Sequence, residues 1–140
     1  MSEKITIGIV DDNAALLQQL KENLTGAGNI EILFTAAHGE EALQKLPTLK
    51  KLPQVILMDI EMPVMNGIEA TKAIRQLEPA LAGIPIVAMT AHSLYGEMQS
   101  CFNAGMNGYV SKPFQPHDLF TAIAEATNPQ KENKEAAMVD

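Results

Sequence analysis

The sequence predicts an α/β domain built on a parallel β-sheet with helices on both faces, and three observations lead to this prediction. Short apolar runs alternate with segments of helical periodicity, as in chains of βαβ units. Two of the runs, 55–58 and 84–89, are almost unbroken apolar stretches, which is typical of central strands covered by helices on both faces. Polar side chains follow the ends of several runs, where an open parallel sheet places its binding crevice.

The size and composition are those of one globular unit. The chain has 140 residues, of which 46% are hydrophobic, enough for a packed core. With 17 acidic and 10 basic residues the net charge is −7, so direct binding to nucleic acid or to an anionic membrane is not expected. Cys101 is the single cysteine, which excludes an internal disulfide and favours a reducing compartment. No long apolar segment or signal peptide is visible, and we expect a cytoplasmic protein.

Five apolar runs are the predicted strands. They are residues 5–10, 30–36, 55–58, 84–89 and 109–110. The first predicted helix follows Asp12 and Asn13 and stops at Gly26. Its apolar stripe consists of Leu17, Leu20 and Leu24. The second predicted helix covers residues 39–45, before Pro47.

Capping residues mark the remaining helices. Asn66 and Glu69 form a capping box at the start of the third helix. Ser93 is the candidate cap of the fourth helix, and Gly105 is placed to take the left-handed conformation at its end. The fourth helix carries an apolar stripe of Leu94, Met98, Cys101 and Phe102, and Cys101 is expected to face the core. Pro116 suits the first turn of the fifth helix.

The chain changes character near its end. Residues 128–140 are polar and charged and carry no hydrophobic stripe. We therefore predict a folded domain over residues 1–127 and a polar tail or linker over residues 128–140.

Five polar residues are predicted to converge on one edge of the sheet. Asp11 and Asp12 follow the first strand, Asp59 follows the third, Thr90 the fourth and Lys112 the fifth. Because the carboxyl ends of parallel strands line the same crevice, these side chains should lie close together.

Each of these residues has a simpler explanation when it is taken alone. Asp11 and Asp12 are also suitable acids for a helix N-terminus. Thr90 is an ordinary last residue of a strand, and a lysine such as Lys112 usually lies on the surface in solvent. Only the joint pattern favours a functional site.

Three neighbouring carboxylates need compensating charge. Two like charges about 4 Å apart repel by about 4 kcal/mol at an effective dielectric constant of about 20. Mg²⁺ is bound by one or two carboxylates together with water and phosphate oxygens, and Lys112 can neutralise the remaining charge. An aspartate in this setting is a credible acceptor of a phosphoryl group. Asp59 is the best nucleophile candidate because its strand is the most apolar, with Asp11 and Asp12 holding the metal.

Four segments, taken together and in order, resemble the receiver domains of bacterial response regulators from residue 5 to about residue 126. The segments are Ile9 to Asn13, Leu57 to Gly67, Met89 to Ala91, and Ala104 to Pro113. This resemblance implies a flavodoxin-like (βα)5 fold with strand order 2-1-3-4-5. It further implies phosphorylation of Asp59 and a Mg²⁺ site made by Asp11, Asp12, Asp59 and the backbone carbonyl of Glu61.

The resemblance also implies roles for residues around the phosphate. Thr90 and Lys112 would contact the phosphoryl oxygens, and Ala91 would be the small residue that leaves the phosphate accessible. Pro113 would follow a cis peptide bond. Tyr109 would rotate inward when the Thr90 hydroxyl moves toward the phosphate, in a shift between two populated states.

This switch would alter the surface formed by the fourth helix, the fifth strand and the fifth helix, which we take as the partner-binding face. The residues expected on it are Leu94, Met98, Tyr109, His117 and Phe120. Glu61 and His92 stand two residues after Asp59 and Thr90, where the family tunes the lifetime of the phosphate.

The function implied is that of a phosphoacceptor in a two-component phosphorelay rather than of an enzyme. Its donor would be a sensor histidine kinase or a histidine phosphotransfer protein, and its downstream effector is not identified by the sequence. One alternative is a small Mg²⁺-dependent phosphatase of the haloacid dehalogenase type with Asp59 as nucleophile, although Asp11 and Asp12 lie upstream of Asp59 instead of downstream. An FMN-binding flavodoxin is a further alternative, but Asp11 and Asp12 occupy the place of its phosphate loop.

Overall fold

The computed structural model describes residues 5–26, 29–62, 64–90, 95–112 and 114–127. Its strands are β1 (Ile5–Val10), β2 (Ile30–Ala36), β3 (Val55–Asp59), β4 (Ile86–Thr90) and β5 (Gly108–Ser111). They form one sheet in the order β2-β1-β3-β4-β5, and every neighbouring pair is parallel. The predicted α/β class and the strand order implied by the resemblance are therefore confirmed.

All five predicted helices are present. They are α1 (Ala14–Thr25), α2 (Gly39–Lys45), α3 (Gly67–Ile74), α4 (Tyr95–Ala104) and α5 (Pro116–Ala126). The described residues also contain two short helical turns that were not predicted, Leu46–Thr48 and Pro79–Ala82. Both turns have a proline in the first turn, where a missing N–H breaks no helical hydrogen bond.

The helix ends follow the predicted capping chemistry. The side chain of Asn13 accepts a hydrogen bond from the backbone N–H of Leu16 at 3.1 Å. Asn66 and Glu69 form the complete capping box at the start of α3. Gly105 has a φ of 112°, a conformation that glycine adopts without the steric cost other residues bear. These three short signals place α1, α3 and the end of α4 correctly.

The sheet separates two apolar layers. Helices α1 and α5 cover one face, and α2, α3 and α4 cover the other. Cys101 is fully buried, as predicted, and Met98 is 8% exposed. The assignment of Met98 to the exposed partner-binding face is therefore wrong.

Phe102 also departs from its prediction, since it is 43% exposed and does not belong to the buried stripe of α4. Successive residues point about 100° apart around a helix, so the side chain beside the buried Cys101 is turned outward. Its ring meets the ring of Tyr109 edge-on, with centroids 6.4 Å apart.

Arg75, which follows the last residue of α3, ties together two loops that precede β4 and β5. Its Nη1 donates to the carbonyl oxygens of Ala82 at 2.6 Å and Ile84 at 2.8 Å. Its Nε and Nη2 donate to the carbonyl oxygen of Gly105 at 3.0 and 2.6 Å, and Nη2 also donates to Oδ1 of Asn107 at 2.9 Å. The planar, multi-donor guanidinium suits this arrangement, which a lysine cannot reproduce.

The loop between β3 and α3 holds a strained residue, Val64, which has a φ of 69° and is 73% exposed. Holding a β-branched residue in the left-handed region costs about 1–3 kcal/mol. Glycine removes this strain. It also gives the unfolded chain more conformational freedom, which offsets about 1 kcal/mol of the gain in stability. We therefore expect Val64→Gly to raise the free energy of unfolding by about 1 kcal/mol in urea denaturation.

Val64→Ala is the control for this substitution. It keeps the Cβ atom that causes most of the strain, so it should gain less stability than Val64→Gly. A less stable Val64→Gly would show that the left-handed backbone at this position is not strained.

Some predictions fall outside the described residues. They concern Ser93 and Leu94 at the start of the fourth helix and the polar tail at 128–140. The boundary at residue 127 therefore stays a prediction. Within the part of the chain that the structure describes, no helix has the length and apolar character needed to cross a membrane.

Candidate functional site

The ends of four parallel strands set the positions of the predicted site residues. Asp59 and Thr90 are the last residues of β3 and β4, whereas Asp11 follows β1 and Lys112 follows β5. Since all these strands run in one direction, their ends meet at one edge of the sheet. The backbone N–H of Lys112 donates to the carbonyl oxygen of Thr90 at 2.7 Å, which holds the backbone of Lys112 beside the end of β4.

The structure brings the three acids and the lysine into one cluster. The Nζ of Lys112 lies 2.9 Å from Oδ2 of Asp11 and 3.3 Å from Oδ1 of Asp59. Asp11, Asp12 and Asp59 each offer a carboxylate oxygen, and these oxygens lie within 4.8 Å of one another. The expected convergence of strands β1, β3 and β5 on one site therefore holds in this structure.

The acids differ in how far they are withdrawn from solvent. Asp11 is fully buried, Asp59 is 5% exposed, and Asp12 is exposed. Oδ1 of Asp11 accepts a hydrogen bond from the backbone N–H of Asn13 at 2.9 Å. Asn13 was predicted only as the start of a helix, and its hydrogen bond to Asp11 was not predicted, although its position next to the acidic pair was a signal for it.

Burial and charge act on the pKa values of Asp59 and Lys112 in opposite ways. Burial, together with the nearby Asp11 and Asp12, raises the pKa of Asp59 from 3.8 to about 6, although Lys112 opposes this rise. Burial alone would lower the pKa of Lys112, but its hydrogen bonds and ion pairs with Asp11 and Asp59 raise it above 10.5. Near neutral pH the lysine is therefore charged, and Asp59 is mostly ionised but readily protonated.

This donor set fits a small divalent cation. The three carboxylates supply hard oxygen ligands, which Mg²⁺ prefers over nitrogen and sulfur. A single lysine leaves an excess of negative charge in the cluster, so a cation would also relieve the repulsion that raises the pKa of Asp59. The chemistry of the residues thus agrees with the metal that the resemblance implies.

The raised pKa of Asp59 predicts how stability depends on pH. The folded protein protonates Asp59 near pH 6, whereas the unfolded chain does so only near 3.8. The contribution of Asp59 to stability is therefore most favourable at low pH, falls as the pH rises from about 4 to about 6, and stays unfavourable by about 3 kcal/mol above that window. Urea denaturation of metal-free wild type and Asp59→Asn across this range measures it.

The difference between the two proteins isolates this one residue from the other groups that titrate. We expect the stability of wild type relative to Asp59→Asn to fall as the pH rises from about 4 to about 6. A difference that does not change with pH would mean that Asp59 has an ordinary pKa.

The remaining predicted residues differ in how far they are buried. Thr90 is 2% exposed and Tyr109 is 48% exposed, so the tyrosine ring lies outside the core. Glu61 is exposed two residues beyond Asp59. Ala91, His92 and Pro113 lie outside the described residues, and their expected roles stay predictions.

Comparisons with known proteins agree with this site. The family model for the response regulator receiver domain matches residues 7–124. Over 115 residues the chain is 38% identical to the chemotaxis protein CheY of Thermotoga maritima. The match covers 82% of this chain and 91% of that protein. Over 119 residues it is 38% identical to a protein-glutamate methylesterase/protein-glutamine glutaminase of Clostridium acetobutylicum, and this match covers 84% of the chain. The chain spans only 33% of the length of that enzyme.

A solved structure shows the same likeness in three dimensions. The receiver domain of a sensor histidine kinase from Pseudomonas aeruginosa, with a magnesium ion coordinated in its active-site cleft, matches with a TM-score of 0.76. It is 31% identical, and the match covers 89% of this chain and 98% of that one. The family match decides against the haloacid dehalogenase and flavodoxin alternatives. The chain belongs to the response regulator receiver domain family.

Proposed function

We propose that Asp59 accepts a phosphoryl group from a phosphohistidine and that Asp11, Asp12, Asp59 and the backbone carbonyl of Glu61 hold Mg²⁺ during the transfer. The observation that carries this proposal is the cluster itself: the Lys112 ammonium group lies within hydrogen-bond distance of both Asp11 and Asp59. The donor is a sensor histidine kinase or a histidine phosphotransfer protein, met in the cytoplasm.

The residues of the site have distinct chemical roles in this transfer. A carboxylate oxygen of Asp59 attacks phosphorus, the P–N bond of the phosphohistidine breaks, and its electron pair returns to the imidazole nitrogen. Bound Mg²⁺ would neutralise charge on the phosphoryl oxygens. Lys112 stabilises the same oxygens electrostatically, and the Thr90 hydroxyl donates a hydrogen bond to one of them. Asp59 has to be ionised to attack, and a pKa of about 6 leaves most of it so at neutral pH.

Phosphorylation by acetyl phosphate tests this proposal without the natural donor. With Mg²⁺ present, intact-mass measurement should show the addition of one phosphoryl group, and peptide mapping should place it on Asp59. Chelation of Mg²⁺ before the reaction should abolish the addition. Absence of any modification at saturating acetyl phosphate and Mg²⁺ would sink the proposal.

The proposed output is a change in the face formed by α4, β5 and α5, which binds the downstream partner. Tyr109 stands at its centre, and Phe102 and Tyr109 lie on it as exposed aromatic rings. Beside them is a groove of about 170 Å³ that Ala122 and Glu125 of α5 also line. His117 is exposed as well. On phosphorylation, Thr90 is drawn to the phosphate and the Tyr109 ring turns inward, which changes this surface.

The composition of the chain provides a direct probe of this rotation. The protein has no tryptophan and two tyrosines, so in a Tyr95→Phe variant the intrinsic fluorescence comes from Tyr109 alone. Beryllofluoride, which mimics the phosphoryl group, should lower the accessibility of Tyr109 to iodide quenching when Mg²⁺ is present. Equal quenching with and without the mimic would argue against the inward rotation.

Glu61 is proposed to influence the lifetime of the phosphate together with His92. Glu61 is exposed close in sequence to Asp59, where a polar side chain can orient or hinder an attacking water. The rate of dephosphorylation of Glu61→Ala tests this role. A rate equal to that of wild type would remove Glu61 from the proposal.

A further inference from the structure

The first residue of α3, Gly67, packs directly against the backbone that carries Asp59. A Cβ atom at position 67 would lie 2.3 Å from the carbonyl oxygen of Asp59 and 2.9 Å from the Cα of Ile60. Distances this short do not occur between real Cβ atoms and backbone atoms, so a larger residue would have to displace the end of β3. Only glycine allows α3 to approach Asp59 this closely.

Local hydrogen bonds prevent α3 from moving away to relieve such a clash. The backbone N–H of Gly67 donates to the carbonyl oxygen of Ile60 at 2.8 Å. The buried hydroxyl of Thr71 donates to the carbonyl oxygen of Gly67 at 2.8 Å. The capping box of Asn66 and Glu69 holds the same turn. The first turn of α3 is therefore fixed in place, and added bulk acts on residues 59 and 60.

On its other side, the end of β3 is held by the sheet. Asp59 pairs with Met89 of β4, and the backbone N–H of Ile60 donates to the carbonyl oxygen of Met89 at 3.2 Å. The backbone at Asp59 thus lies between β4 and the start of α3. The position of this backbone sets the distance between the Asp59 carboxylate and Nζ of Lys112, which is 3.3 Å. It also sets the direction in which the backbone continues to residue 61.

We propose, building on the phosphoacceptor function above, that Gly67 is a positioning residue that sets the place of the Asp59 carboxylate and of the Glu61 carbonyl relative to Mg²⁺. It acts through the backbone of residues 59 and 60 and touches neither metal nor phosphate. Displacing supporting groups behind a metal ligand typically lowers affinity about 10- to 100-fold. Gly67→Ala should therefore lower the affinity for Mg²⁺ at least about tenfold.

The chain offers a closely matched control in Gly39, the first residue of α2. A Cβ atom there would lie 2.7 Å from the Cβ of Ala70 and 3.0 Å from the carbonyl oxygen of Met65. Gly39→Ala is thus the same substitution, at the same helix position, with a clash that does not involve Asp59. Gly83→Ala is the unstrained control, since its nearest neighbour would be the carbonyl oxygen of Pro79 at 3.6 Å.

Two measurements on each purified variant separate positioning from overpacking. Thermal unfolding without metal should show losses for both Gly67→Ala and Gly39→Ala. Calorimetric titration with MgCl2 should show the tenfold loss of affinity only for Gly67→Ala. Phosphorylation by acetyl phosphate at saturating Mg²⁺ should also slow only in Gly67→Ala, because the carboxylate itself is displaced.

Equal Mg²⁺ affinity in wild type and Gly67→Ala, or equal losses in the two overpacked variants, would overturn the proposal. If Gly67→Ala does not fold, the same comparison is made in the Val64→Gly background, with Val64→Gly alone as reference. A wild type that neither binds Mg²⁺ nor becomes phosphorylated would instead refute the phosphoacceptor function itself. The two failures are therefore distinguishable.

Discussion

Asp59→Asn is expected to lower the initial rate of phosphorylation by acetyl phosphate by about a thousandfold or more. Asparagine has nearly the same shape as aspartate, but its amide oxygen cannot form an acyl phosphate at a useful rate. The substitution also removes one of the three acids whose oxygens lie within 4.8 Å of one another. We therefore expect weaker binding of Mg²⁺ together with higher stability of the metal-free protein at neutral pH. Intact-mass time courses and urea denaturation measure the two effects.

Asp118→Asn is the matched control for Asp59→Asn. Asp118 lies in the first turn of α5, where its carboxylate accepts a hydrogen bond from the backbone N–H of Gln115 at 2.9 Å. Asparagine can accept the same bond, so this variant should be phosphorylated at the rate of wild type. Full phosphorylation of Asp59→Asn would mean that a residue other than Asp59 is the phosphoryl acceptor.

Lys112→Met is expected to lower the free energy of unfolding of the metal-free protein by about 3 kcal/mol near neutral pH. Methionine keeps much of the length and volume of lysine but leaves the fully buried Asp11 and the nearly buried Asp59 without their shared cation. Breaking a buried ion pair on one side is costly because the remaining charge stays in the interior. The pKa of Asp59 should rise further, since Lys112 holds it down. Urea denaturation at neutral pH measures the loss of stability.

Added Mg²⁺ should recover part of the stability lost in Lys112→Met, because the cation supplies positive charge to the same carboxylates. Lys51→Met is the control, since Lys51 lies 3.6 Å from Glu31 in a solvent-exposed pair and such pairs contribute about 0–1 kcal/mol. A similar small effect for Lys112→Met would mean that the buried acids do not depend on the lysine.

The strands and helices could be predicted because their signals are local. A run such as 55–58 is buried on both faces, so nearly every residue in it is apolar. Asn13, Asn66 and Gly105 mark helix ends through hydrogen bonds and backbone angles within a few residues. The strand order, by contrast, came from the family resemblance, because no local pattern encodes which strands are neighbours.

The features that were not predicted either depend on tertiary contacts or are too short to show a pattern. Phe102 has the spacing of a core residue, yet it faces Tyr109 on the surface. The five donated bonds of Arg75 reach residues up to 32 positions away. The turn Pro79–Ala82 is too short to show any period. The convergence of acids on Lys112 was predictable only because parallel strands bring their carboxyl ends together, whatever the sequence distance.

The bonds made by Arg75 bear on how the molecule opens locally. A single guanidinium spans the loop before β4 and the loop before β5, so a displacement of Arg75 exposes acceptors on both loops at once. Amide protons on both loops should therefore exchange with solvent in one shared opening event instead of two independent ones. Both loops stand at the end of the sheet remote from Asp59. We therefore expect that end of the sheet to open as one cooperative unit in hydrogen exchange.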